Sequence, residues 1–253
     1  MGKGKKICGG SKLKTIGLLG GMSWESTVTY YQLINEGVKA RLGGLHSAKI
    51  VLHSVDFHEI EGLQRQGDWE AAGAVLAQAG RSLQLAGAEF LVICTNTMHK
   101  VVPAIAAAID IPILHIADAT AAAITAQGIQ TVGLLGTQFT MEQTFYKHRL
   151  IERHGLTVLV PEASDRAVIH RIIYDELCQG MIERTSRDAY LAFIDKLQQQ
   201  GAQAIIAGCT EITLLINAAD LSIPLFDTTA LHAAAAVEYA LADAPLTSDS
   251  SGL

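Results

Sequence analysis

A cysteine that closes an apolar run and is followed by threonine and glutamate stands at residues 204–211, AIIAGCTE. A related stretch, FLVICTNT, occupies residues 90–97. Setting Gly87-Ala88 on Gly201-Ala202 puts Thr95 opposite Cys209, Asn96 opposite Thr210 and Thr97 opposite Glu211, and leaves Cys94 opposite Gly208. Side chains alternate faces along a strand, so the counterpart of Cys209 is Thr95, and Cys94 points the other way into packing. A one-residue shift of the backbone would present Cys94 instead. A thiol and a hydroxyl facing each other across a ligand suit removal of a proton from one face of a carbon and its return to the other. A cysteine starts near pKa ~8.5 and is a workable base once lowered by polar neighbours. The carbanion beside a carboxylate is enolate-like and needs N–H and O–H donors, which TNT (95–97) and CTE (209–211) supply at strand-to-helix junctions.

The elements that must position these groups repeat. Apolar runs at 14–20, 49–55, 90–95, 111–116, 131–137, 156–161, 204–210 and 223–228 alternate with amphipathic stretches such as WEAAGAVLAQAGRSLQLAG. Such alternation predicts parallel sheet covered on both faces by helices. TIGLLGGMSWESTVTYYQLI from Thr15 matches TVGLLGTQFTMEQTFYKHRL from Thr131, and IPILHIADATAAA matches IPLFDTTALHAAA, in the same order as the two strand ends above. The expected fold is therefore α/β: two similar pseudo-symmetric lobes, each a mostly parallel four-stranded sheet flanked by helices, with the active site between them. Ligands sit beyond the carboxyl ends of parallel strands, where Thr95 and Cys209 lie.

LVICTNTMHK (91–100) and IIAGCTEITLL (205–215), with IGLLGGMSWEST (16–27) and GTQFTMEQTFY (136–146), resemble the signature blocks of the aspartate/glutamate racemase family over about residues 14–240. The resemblance implies cofactor-independent racemisation of aspartate, glutamate or a related amino acid such as homoserine by two opposed proton carriers. Cys209 would serve the L-enantiomer and the first-half group the D-face. It also implies substrate contacts near Met22 and Gln64, besides Asn96, Thr97 and Thr210, and a homodimer. Most members carry cysteine where this chain has Thr95, a departure similar to an L-aspartate/glutamate-specific subgroup with Thr/Cys in place of Cys/Cys. A threonine hydroxyl relays a proton but is a poor base, so abstraction is expected to begin at Cys209, while the equal energies of free enantiomers keep kcat/KM comparable in both directions. By the same resemblance the chain crosses between lobes: residues 14–114 plus 227–243 form lobe 1, and 115–226 lobe 2. The alternatives are a malonate-type decarboxylase using the single well-placed cysteine as proton donor, and a non-catalytic amino-acid-binding protein.

The remaining features bound these readings. With Lys+Arg 19 against Asp+Glu 25 and a formal net charge of −6, no nucleic-acid or membrane partner is expected. Four cysteines without a CxxC pair read as reduced thiols of a cytoplasmic protein. The basic opening at 1–13, which holds Cys8, lacks the apolar stretch of a signal peptide and reads as a flexible leader, and 244–253 as a flexible tail. GLLGGM is neither a P-loop nor a dinucleotide fingerprint and fits a carboxylate-binding turn better. Neither His53 with His58 nor Cys94 with His99 completes a tetrahedral set, so no metal is expected. Cys178 is assigned to packing, Glu211 to orienting its neighbours or capping the next helix, and the repeat-related His115 and Asp227 to orienting the nearby catalytic groups.

Overall fold

Strands apolar on both faces can be satisfied only in a sheet covered on both sides. In the computed structural model, which describes residues 13–242, the strands are β1 (Ile16–Gly20), β2 (Ile50–Ser54), β3 (Phe90–Ile93), β4 (Ile113–Leu114), β5 (Thr131–Gly136), β6 (Thr157–Leu159), β7 (Ala204–Gly208) and β8 (Leu225–Asp227). Cys8, the rest of the expected leader before Leu13, and the expected tail lie outside the described residues. The strands form two sheets in the orders β2-β1-β3-β4 and β6-β5-β7-β8, every pairing parallel. The central strands β1, β3 and β7 are buried along their whole length, whereas the edge strands β2 and β6 are partly exposed.

The helices of the first half are α1 (Trp24–Leu42), α2 (Phe57–Gln66), α3 (Trp69–Leu85), α4 (Val102–Ala106) and α5 (Ile116–Ala126). Those of the second are α6 (Gln138–Glu142), α7 (Thr144–His154), α8 (Ala163–Arg171), α9 (Arg184–Gln199), α10 (Ile212–Leu215) and α11 (Thr228–Leu241). The last helix of each half packs on the other half. Ile116, Ala117, Ala121 and Ile124 of α5 are buried against Val132, Leu134, Ala204 and Ile206 of the second sheet. Ala233, Ala236, Val237 and Ala240 of α11 are buried against Ile16, Leu18 and Phe90 of the first sheet and Ile34 of α1. The alanines let backbones approach closely, and the exchanged apolar burial, at ~25 cal/mol per Å², ties the sheets together.

His115 and Asp227, expected to orient catalytic groups, cap these two crossover helices. His115 Nδ1 accepts from the Ala117 N–H at 3.2 Å, and Asp227 Oδ1 accepts from the N–H groups of Thr229 and Ala230 at 2.8 and 3.2 Å. Each satisfies donors that a helix start leaves unpaired.

The turn after β1 depends on glycine. Gly21 has φ +89°, and a Cβ there would lie 2.2 Å from the Val55 carbonyl oxygen, a backbone atom that cannot step aside. Gly21→Ala is therefore expected to cost about 1–3 kcal/mol. Urea denaturation should show a lowered midpoint with an unchanged slope; a wild-type midpoint would contradict the assignment.

Candidate active site

Both sheets present their carboxyl ends to one cavity. Thr95 and Asn96 follow β3, Cys209 and Thr210 follow its counterpart β7, and the walls are completed by Met22, Gln64 and Thr97. Every residue singled out in the sequence as catalytic or substrate-binding thus borders the same space. Ser23, Phe57, Thr137, Ile173, Tyr174, Cys178, Gly208 and Glu211 line it as well. Thr137 has a sequence signal, since TVGLLGT set on TIGLLGG places it opposite Gly21 in the first block. Tyr174 has none: it sits in a π-helical segment, Ile172–Glu176, whose extra residue per turn takes it off the apolar stripe that periodicity would read.

Cys94 points away from the cavity. It is fully buried among Ile16, Tyr30, Val92 and Ala233, and burial pushes its thiol far above the ordinary range. Gly208 sits where a Cβ would lie 2.7 Å from the Leu135 carbonyl oxygen, so only glycine brings the chain this tightly to Cys209. The Cys209 thiol donates to Glu211 Oε2 at 3.0 Å, and Ser23 at the start of α1 donates to Glu211 Oε1 at 3.1 Å. Burial first, and then the charge of Glu211, push the Cys209 thiol well up. Glu211 makes no side-chain capping bond to α10. Of its two expected uses, the structure displays contact with its neighbours.

Hydroxyls and amides stitch the two halves around the cavity. Ser26 donates to the Cys94 carbonyl at 3.0 Å, which spends its only proton, so Thr210 donates to Ser26 Oγ at 2.9 Å. Thr97 and Thr137 share a hydrogen bond of 3.1 Å. Thr228 donates to the Ala207 carbonyl at 2.9 Å and accepts from Asn96 Nδ2 at 3.0 Å. Those partners orient the Asn96 amide and leave its Oδ1 buried with no partner among the described residues. An unpaired buried acceptor is costly and calls for a donor.

The cavity has a volume of about 30 Å³, room for about one water, and adjoins a vestibule of about 770 Å³. Ser23, Phe57, Gln64, Tyr174 and Cys178 border both spaces. Cys178, assigned to packing, is therefore also a wall of the passage, because its helix ends in a one-turn segment at 177–179 facing the opening; burial pushes its thiol up to about 12. Tyr174 Oη donates to Gln64 Oε1 at 3.3 Å across the passage. This contact stands where the two spaces meet. The vestibule carries Arg65, His58 and His170 beside Glu25, Glu61 and Asp175, whereas no lysine or arginine borders the inner cavity among the described residues.

A family profile described as "Asp/Glu/Hydantoin racemase" matches residues 19–236. A Yersinia pestis protein assigned to the Asp/Glu racemases has a crystal structure that superposes with a TM-score of 0.86 at 62% identity, covering 90% of this chain and 100% of that one. PH1733 of Pyrococcus horikoshii, described as an aspartate racemase homologue, superposes with a TM-score of 0.78 at 32% identity, covering 90% and 99%. The broad-specificity amino-acid racemase RacX of Bacillus subtilis is 25% identical over 167 residues, 63% of this chain and 68% of its own.

Beneath Thr95 three buried histidines meet, with ring centroids 4.5 Å apart for His99 and His115 and 5.8 Å for His99 and His232. His99 Nε2 accepts from the Ile116 N–H at 3.2 Å, so its Nδ1–H donates to the Thr95 carbonyl at 2.8 Å. His232 Nε2–H donates to the Leu114 carbonyl at 2.8 Å, and its Nδ1 accepts from Tyr30 at 2.9 Å. Neutral rings are required, and burial lowers His99 from 6.5 to about 3 and His232 to about 4. Both folded values lie below the unfolded one. Their contribution to stability is complete above about pH 6.5 and is lost as pH falls towards 4 and 3. The urea midpoint should hold above neutral pH and fall steadily below it, less steeply in His232→Gln; a midpoint flat from pH 7 to 4.5 would contradict this.

Proposed function

Starting from a chain that belongs to the Asp/Glu/hydantoin racemase family and is an amino-acid racemase, an isomerase, we propose that it inverts the α-carbon of aspartate, glutamate or a close analogue such as homoserine, without a cofactor, using Cys209 and Thr95 from opposite lobes. The observation that carries this reading is that Thr95 and Cys209 border one cavity from the ends of corresponding strands, β3 and β7. Groups so placed reach the two faces of a carbon held between them.

The other walls supply what an amino acid needs. The unpaired Asn96 Oδ1 accepts from the α-ammonium. The Thr97 hydroxyl, held by Thr137 from the other half, donates to the α-carboxylate and to the enolate-like charge that forms on it, while Thr210, whose hydroxyl proton is taken by Ser26, bounds the carboxylate from the second lobe. Met22 and Gln64 bound the site on the first-lobe side, and the substrate side chain extends through the parted Tyr174–Gln64 contact towards Arg65. Cys209 takes the α-proton of the L-enantiomer, and the Thr95 side returns a proton to the other face. Apolar side chains exposed at successive turns of α1, Trp24, Val28 and Tyr31, support a homodimer. Among the described residues no helix is long and apolar enough to cross a membrane, and separate reduced thiols support a cytoplasmic protein.

Incubation in D₂O with L-aspartate, L-glutamate and L-homoserine tests the reading by loss of the α-proton NMR signal. Wild type should exchange at least one of them, and Cys209→Ala should slow that exchange by about 10²-fold or more. Exchange that survives undiminished in Cys209→Ala, or no exchange with any of the three, would overturn it.

A further inference from the structure

Cys209 presents a difficulty for a base. Its sulfur lies 3.0 Å from a carboxylate oxygen, the Glu211 side chain is buried, and no lysine or arginine borders the cavity among the described residues to favour a thiolate. The titratable groups that face the pair are Cys178, from the turn after the π-helical segment, Tyr174 within that segment, and Tyr190 of α9; ionising any of them would add negative charge. A second negative charge beside Glu211 would therefore be uncompensated. The site accommodates one negative charge and one proton shared between sulfur and carboxylate.

We propose that Glu211 is a positioning residue that receives the Cys209 proton: the thiol donates to Oε2 in the resting site, and that proton crosses to the carboxylate when substrate enters, leaving a thiolate hydrogen-bonded to a carboxylic acid. The transfer breaks S–H and forms O–H, needs no further reactant and leaves the pair with a single negative charge. Ser23 donates to the other carboxylate oxygen from α1, the first helix of the opposite half, so Oε2 stays aimed at sulfur only while the two halves are docked. The substrate α-ammonium, arriving at Asn96 Oδ1 in the same cavity, supplies the positive charge that favours the thiolate. This assignment rests on the proposed racemase chemistry for its purpose, but the pairing itself is measurable without substrate.

The experiment is the pH dependence of Cys209 alkylation by iodoacetamide in the full chain, read at that residue by mass spectrometry. Wild-type Cys209 should react with a midpoint above that of an ordinary thiol, ~8.5. Glu211→Gln should lower the midpoint by about one unit or more, speeding modification below the midpoint about tenfold, while Glu211→Asp, which keeps the charge, should stay nearer wild type. The pH profile of α-proton exchange should be level around neutrality in wild type and rise about tenfold per unit in Glu211→Gln, where solvent must take the proton. A Glu211→Gln midpoint unchanged or raised, or a wild-type Cys209 already ionised at pH 7, would overturn the assignment. The wild-type titration decides even if the variants fail to fold. If no amino acid is exchanged, the function fails, and the alkylation series still settles the pairing.

Discussion

The geometry of the cavity depends on the exchange of two helices. Each four-stranded parallel sheet must be covered on both faces, and each takes part of its cover from the other half of the chain: α5 crosses to the second sheet and α11 to the first. His115 and Asp227 start these helices by capping their free N–H groups. His232 on α11 then reaches back to the Leu114 carbonyl at the end of β4 and accepts from Tyr30 of α1. Because apolar cover is shared reciprocally, the two sheets dock with their carboxyl ends facing one space. Thr95 and Cys209 face it as a consequence of that docking.

The polar layer between the halves follows from the same constraint. Backbone and side-chain groups at the strand ends are cut off from bulk water, and buried polar groups must find partners. The contacts Ser26–Thr210, Thr97–Thr137 and Ser23–Glu211 satisfy them across the two halves. One acceptor at the cavity, Asn96 Oδ1, is left without a partner among the described residues. A network nearly saturated by protein and open at one buried atom is what a small zwitterionic ligand with an N–H donor would complete.

Much of this could be read from residue order. Every strand expected from an apolar run is present, because central strands of a two-sided sheet have nowhere to place a charge. The ends are shorter than the runs. IPILHI yields only Ile113–Leu114, since Pro112 has no N–H for the ladder and His115 turns out to cap α5. Internal repetition placed Thr95 rather than Cys94 opposite Cys209, and the fully buried Cys94 follows from the alternation of side chains along β3. What escaped depends on geometry that spacing does not encode. Tyr174 is rotated by a π-helical turn, Cys178 sits on the short turn after it, and Ser23, which holds the other oxygen of Glu211, lies far away in sequence.

The central claim, two proton carriers on opposite faces of one carbon, is tested most directly by the first turnovers of protiated L-substrate in D₂O, with each enantiomer separated and its Cα deuterium measured. Opposed carriers predict that the earliest D-enantiomer is fully deuterated while the recovered L-enantiomer still carries protium, because the Cys209 thiol returns the proton it removed and solvent deuterium enters only from the Thr95 side. Deuterium appearing equally in both enantiomers from the first turnover, or protium carried over into the D-product, would mean that one group serves both faces and would contradict the arrangement.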